Sequence, residues 1–278
     1  MHTGKHLILA LAVSMFFTMN SDCYAGSIDR TSVYTVRSPS IVLQEIIRGN
    51  RDFVVALEKD YFQSFQNQQN PTLTVVTCAD SRVQNNLFGM DPSNKIFTVR
   101  NIGNQIQNAE GSVDYGIHHL STSILLVMGH SNCGAIKAAM GDISEETVGI
   151  IAELAPLKTP LSVDNGSGQF DDRWTKNIER NVDYQVAYAN QLYASKVKSG
   201  DLVIIGAVYD FNNHYKKGQG ALVITNINGE TNPDKYMKHS AMRFLTKTEI
   251  LARIGSIAPD THYTSAEVTY GYHAPQKK

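Results

Sequence analysis

The sequence predicts an α/β fold: a central, mainly parallel β-sheet flanked by helices, with an N-terminal helical arm and a C-terminal extension. Three observations predict it. Short apolar or β-branched runs recur at 73–77, 95–99, 123–128 and 202–206, each with the length and composition of a buried parallel strand. Helically spaced segments separate them, with Val113, Ile117 and Leu120 before the third run and Ile178 to Tyr193 before the fourth, and such alternation marks an open sheet with crossover helices. The chain of 278 residues, 42% hydrophobic and 18% charged, has enough apolar material for one substantial core.

In chain order, Lys5 gives a basic start and Leu7 to Met19 an apolar run that is short for a bilayer span. Cys23-Tyr24-Ala25 then places small residues at the first and third positions before Gly26, so residues 1–25 read as a secretory signal cleaved after Ala25. An exported, periplasmic protein without a stable membrane anchor after cleavage is expected. Residues 26–38 read as a flexible leader, and 39–278 as a single domain. Pro39 opens a helical pattern through Ile41, Leu43, Ile46, Ile47, Phe53, Val54 and Leu57, which the Gly49-Asn50 pair divides into two expected helices. A polar stretch, Gln63 to Asn70, ends at Pro71. Further on, 164–172 reads as a flexible surface loop, Ala221 to Asn226 as a fifth strand after the turn-rich 212–220, and the extension from about 230 holds one helix, Ala241 to Ile254, before an unpatterned tail.

The net charge of −1 implies no nucleic-acid or membrane-surface partner through gross electrostatics, so function must lie in local chemistry. Cleavage would leave two of the three cysteines, Cys78 and Cys133. A cysteine pair in an oxidising compartment first suggests a disulfide, but the neighbouring residues point to a metal. Cys78-Ala-Asp-Ser-Arg82 follows the first strand and His130-Ser-Asn-Cys133 the third. Ligands of open parallel sheets gather outside the strand carboxyl ends, so the two segments face each other if the first and third strands are neighbours. Two thiolates and an imidazole are three good zinc ligands, and a catalytic zinc site leaves its fourth position to water, whose pKa the ion lowers toward neutrality. Asp80 is placed to accept a hydrogen bond from the resulting hydroxide, and Arg82 to keep Asp80 ionised and oriented.

The ordered series CADSRV, FTVRNIGN, EGSVDYGIHHL, LLVMGHSNCGAIKAA, NVDYQVAY and VIIGAVYD resembles the motifs of the beta-class carbonic anhydrases over approximately Pro39 to Asn228. The resemblance implies a Zn2+ enzyme that hydrates carbon dioxide reversibly to bicarbonate and a proton by zinc-hydroxide attack. It implies Cys78, His130 and Cys133 as the metal ligands and Asp80 with Arg82 as the catalytic dyad. Gln69 matches the glutamine that hydrogen-bonds substrate or product, Phe97, Ile102 and Tyr115 match the apolar pocket, and His119 matches a proton-transfer histidine sharing a helix face with Tyr115. A homodimer, or a multiple of dimers, embraced by the N-terminal helices is implied as well. Val75, where a bicarbonate-inhibited subgroup has tryptophan, and Gln69 together favour the plant-like, open-site subgroup, and closure of the site by Asp80 as a fourth ligand is left open. Ala135, where many members have glycine, is a conservative departure. Two other readings share these residues: a hydrolase of carbonyl sulfide or carbon disulfide on the same fold, and a non-catalytic periplasmic zinc or thiol protein. Asp80, Arg82 and Gln69 beside the ligands argue against the latter, since metal binding alone needs none of them.

Overall fold

Five of the apolar runs form strands of one sheet: β1 (Leu73–Cys78), β2 (Ile96–Asn101), β3 (Ile124–His130), β4 (Val203–Asp210) and β5 (Ala221–Ile227). The computed structural model describes residues 37–259 with Tyr263 and Val268, so the expected signal and its cleavage point, the leader through 36 and most of the tail lie outside the described residues. The strand order is β2-β1-β3-β4-β5. The first four strands run parallel and β5 lies antiparallel to β4. β1 and β3 are direct neighbours, with Thr77 opposite Met128, so the carboxyl ends that carry Cys78 and His130 lie side by side. Among the described residues no helix is long and apolar enough to cross a membrane.

Nine helices frame the sheet among those residues. They are α1 (Pro39–Ala56), α2 (Glu110–Asp114), α3 (Gly134–Ala139), α4 (Val148–Leu154), α5 (Lys158–Leu161), α6 (Phe170–Leu192), α7 (Ala194–Ser199), α8 (Pro233–Tyr236) and α9 (Lys247–Leu251). α2 runs on as a π-helical turn, Tyr115–His119. The long α6 lies close on the sheet because two strand positions opposite it have no side chain. A Cβ at Gly129 or Gly206 would come within 2.8 or 2.9 Å of the Val182 methyls, so a residue as small as alanine at either place would push α6 outward. Val182, Val186 and Ile178 of α6 complete a core with Val76, Leu125, Val127 and Ile204.

Three expectations need correction. α1 is one continuous helix through Gly49-Asn50, since an interior glycine costs only about 1 kcal/mol and seventeen other residues propagate the turn pattern. The 164–172 segment is pinned at its start: the Asp164 carboxylate, 8% exposed, accepts from Arg173 Nε and Nη2 at 2.9 Å each and from Asn177 Nδ2 at 2.8 Å, and α6 already begins at Phe170. The expected helix from Ala241 to Ile254 is broken into a 3-10 turn, Ser240–Met242, and α9. Its restart is set by Thr246, whose hydroxyl accepts from Glu249 N at 3.2 Å while the Glu249 carboxylate accepts from Thr246 N at 2.7 Å.

The C-terminal extension covers the β5 edge. Ile224 N donates to Arg253 O at 2.7 Å and Gly255 N to Ile224 O at 3.2 Å, while Tyr236, Met242, Ile250 and Ile254 pack on Ile227. A buried carboxylate then holds the chain after it: Glu179 of α6 accepts from the Tyr215 hydroxyl (2.6 Å), the Ser256 hydroxyl, and the backbone N–H groups of Ile257 (3.0 Å) and Ala258 (3.1 Å). Asp183, one turn further on, is buried as well, with one oxygen accepting from Asn226 Nδ2 at 2.9 Å and the other without a partner among the described residues. Burial, reinforced by the nearby Glu179 charge, pushes its carboxyl well above the ordinary range.

Two predictions follow from these carboxyl groups. Glu179→Ala, which strips four donors of their acceptor, should cost about 3 kcal/mol in urea unfolding. The folded chain holds the Asp183 proton to higher pH than the unfolded chain, so the unfolded state ionises first and stability falls as pH rises above the ordinary carboxylate range. Asp183→Asn should therefore be more stable than the wild type by on the order of 1 kcal/mol near pH 8, with the gap closing toward about pH 4. A gap independent of pH would mean that the folded carboxyl is ionised.

Candidate metal centre

Because β1 and β3 are adjacent, their carboxyl ends bring three ligand groups to one point. Cys78 ends β1, His130 ends β3, and Cys133 precedes the first turn of α3. All three are buried, and their ligand atoms lie within 4.8 Å of one another. Among the described residues neither cysteine has a disulfide partner. His130 Nδ1 lies 2.9 Å from Ser131 O, and since a carbonyl only accepts, Nδ1 carries the hydrogen and Nε2 keeps its lone pair. Among the described residues that Nε2 is buried with no hydrogen-bond partner. A buried acceptor left unpaired beside two sulfurs is the donor set a zinc-like cation takes.

The sulfurs also interact with each other. The Cys133 thiol donates to Cys78 and so pulls the Cys78 pKa well down. The same hydrogen bond, together with burial, pushes Cys133 well up. The pair therefore shares a proton, which a bound cation would displace.

Asp80 lies two residues beyond Cys78, with Oδ2 at 3.8 Å from His130 Nε2. Arg82 grips it edge-on: Nε donates to Oδ1 at 2.9 Å, Nη2 to Oδ2 at 2.7 Å, and the Arg82 backbone N–H to Oδ1 at 2.9 Å. These bonds, led by those of the side chain, hold the Asp80 carboxyl down to about 2. With both oxygens held by Arg82, Asp80 stands beside the cluster and outside it.

Residues that sequence reasoning did not single out hold the loops in place. Arg100 donates to Cys78 O at 3.0 and 3.1 Å, to Asp80 O at 2.8 Å and to Gln84 Oε1 at 3.1 Å, fastening the backbone that carries both groups. Trp174 Nε1 donates to Cys133 O at 2.9 Å. Ser131 Oγ donates to Asp210 at 2.7 Å, which ties the heads of β3 and β4 together. Arg100 lies within FTVRNIGN, but only the register, which sets it opposite Thr77, reveals its task.

The other candidate residues divide into two groups. Ile102, 36% exposed, follows the end of β2 beside Gly103, whose backbone N–H approaches the Cys78 sulfur. Gln69, Phe97, Tyr115 and His119 lie elsewhere. Phe97 is opposite Thr74, near the amino end of β1, and its ring is 5.8 Å from that of Tyr115, on which His119 stacks at 5.0 Å. Gln69 is exposed ahead of β1, where the next residue, Asn70, donates its N–H to Asn94 Oδ1 at 2.6 Å. β1 from Leu73 to Cys78 spans about 16 Å, so these residues and the Cys78 cluster occupy opposite ends of one strand.

The carbonic anhydrase family model matches residues 73–216. Carbonic anhydrase 2 of Mycobacterium tuberculosis is 26% identical over 188 residues, covering 63% of this chain and 90% of that protein. A carbonic anhydrase of Synechococcus elongatus is 30% identical over 185 residues, covering 60% of this chain and 68% of its own. Among solved structures, the Coccomyxa beta-carbonic anhydrase in complex with acetazolamide superposes with a TM-score of 0.57 at 27% identity, covering 70% of this chain and 90% of that one.

If the Arg100 fork sets the position of Cys78, Arg100→Ala should weaken retention of a divalent metal about 10- to 100-fold in competition with a chromophoric chelator. Unchanged affinity would mean that the strand ends alone hold the cluster.

Proposed function

The chain belongs to the beta class of carbonic anhydrases, and from that premise we propose that it hydrates carbon dioxide reversibly to bicarbonate and a proton, with zinc held by Cys78, His130 and Cys133. The observation that carries this reading is the buried, unpaired Nε2 of His130 set among two sulfurs beside an ionised Asp80. Zinc supplies a Lewis acid that lowers the pKa of water toward neutrality, and three protein donors match a catalytic rather than a closed structural site. Asp80 accepts a hydrogen bond from the attacking oxygen and directs its lone pair toward carbon dioxide. Arg82 keeps Asp80 ionised and fixed in angle. Ile102 offers an apolar wall beside the cluster.

Gln69, Phe97 and Tyr115 are too far along β1 to serve the cluster of their own chain, so in this reading they complete the pocket of a second copy. Gln69 steadies the bicarbonate oxygens, Phe97 and Tyr115 line the pocket, and the exposed His119 carries the proton to solvent. α1 supports such a pairing. Its 18 residues bury no side chain while exposing Ile46, Ile47, Phe53, Val54 and Val55, and an isolated helix of this length is marginal in water. A homodimer in which each arm lies on the other copy covers that face. The basic start, apolar run and Cys23-Tyr24-Ala25 support export as the setting.

The purified chain should contain about one zinc per chain and hydrate carbon dioxide rapidly in stopped flow. Cys133→Ala should lose zinc and activity, and Asp80→Asn should keep zinc but lose at least about a hundredfold in kcat. Heterodimers of Gln69→Ala and Cys133→Ala chains should regain one working site each, because the intact glutamine then faces the intact ligand set. No recovery would show that Gln69 acts within its own chain or not at all, and zinc without hydration would overturn the proposed reaction in favour of a sulfur-containing analogue or a metal-binding role.

A further inference from the structure

We infer that Phe211 is a positioning residue of this site, its ring holding the face of the Arg82 guanidinium so that the guanidinium edge can hold Asp80. The inference rests on the hydration reading for its kinetic consequence, while its geometry stands apart. Phe211 follows directly on β4, and its neighbours are fastened. The Asp210 carboxylate accepts from Ser131 Oγ at 2.7 Å and from Tyr215 N at 2.9 Å, and Ser131 N donates to Tyr209 O at 3.0 Å. The ring is therefore delivered from β4 to the head of β3 with little freedom. There it meets Arg82, whose Cζ lies 4.9 Å from the ring centroid, and His130, whose imidazole lies 5.8 Å away at an interplanar angle of 28°.

Arg82 needs such a contact. Its hydrogen bonds to Asp80 and to Asn132 O fix the guanidinium within its own plane, but half of the side chain is open to water, at 50% exposure. Bonds at the edge resist sliding better than they resist tilting, and a two-point grip on a carboxylate depends on coplanarity. An aromatic face attracts the cation and stops the tilt, whereas an aliphatic side chain of similar bulk fills the space without that attraction. Because the same ring abuts His130, one side chain sets the dyad and the imidazole relative to each other.

The experiment compares Phe211→Leu and Phe211→Met with Phe211→Tyr, first confirming equal zinc content and melting temperature. The aliphatic variants should lose about three- to thirtyfold in kcat with KM little changed, and the tyrosine variant should recover most of it. In an Arg82→Ala background the Phe211→Leu change should add almost nothing, since two residues acting as a unit do not sum. A readout independent of turnover is the Nε–H NMR resonance of Arg82, expected to be ring-current shifted in the wild type and tyrosine variant and to return toward the exposed-arginine position with leucine or methionine. If the wild type hydrates no carbon dioxide, the hydration reading fails and this resonance alone judges Phe211. Full kcat with an unmoved resonance in the aliphatic variants, a tyrosine variant as impaired as leucine, or losses that add in the double mutant would overturn the inference.

Discussion

The parallel pairing of β1 with β3 is the constraint on which the rest of this structure depends. Cys78 and His130 are fifty-two positions apart in the chain, and only the hydrogen-bonded register of two adjacent strands makes them neighbours. Everything local to the cluster follows from that register. Cys133 arrives three residues after His130 as the chain turns into α3, and Asp80 arrives two residues after Cys78. The close seating of α6 over Gly129 and Gly206 in turn keeps β3 and β4 from shifting, so the cluster rests on a tightly packed part of the core.

Around the cluster, precision comes from side-chain donors that bind the carbonyls and carboxylates of the ligand-bearing loops. Arg100 fixes the backbone of the Cys78 to Asp80 loop, Arg82 fixes the Asp80 carboxylate, and Trp174 and Ser131 fix the two ends of the segment from His130 to Cys133. A shell of this kind suits a site whose ligands sit on loops just past strand ends, because loops have few packing contacts of their own. At the C-terminal segment, hydrogen bonds serve a different purpose. There the buried Glu179 gathers backbone N–H groups of the C-terminal segment, whose preceding residues close the β5 edge against further strand pairing.

At the other edge of the sheet the chain is left open. Among the described residues β2 has no outer neighbour, Tyr115 is 44% exposed, and α1 stands with its apolar side chains in water. One edge capped and the other without a neighbour among the described residues gives the molecule a direction for association. The proposed pairing of two copies across the bare side would unite an apolar pocket and a ligand cluster that a single chain keeps at opposite ends of β1.

Much was legible in the sequence because it is written in local chemistry. The strand runs, the C-x-D-x-R and H-x-x-C segments and the motif series identify an α/β member of the carbonic anhydrase family before any coordinate is known. Helix continuity at Gly49 and the break before Thr246 were misread, since a glycine penalty is small against a long helix and a capping box outweighs a periodic pattern. Composition and spacing by themselves determined which residue types can ligate, ionise and pack. Tertiary structure alone decided which of them meet: that Arg100 reaches the Cys78 carbonyl, that Phe211 meets both Arg82 and His130, and that Phe97 and Tyr115 fall away from the cluster. The physical reason is that strand register and helix seating minimise the free energy of the whole core, and no short stretch of sequence contains that sum.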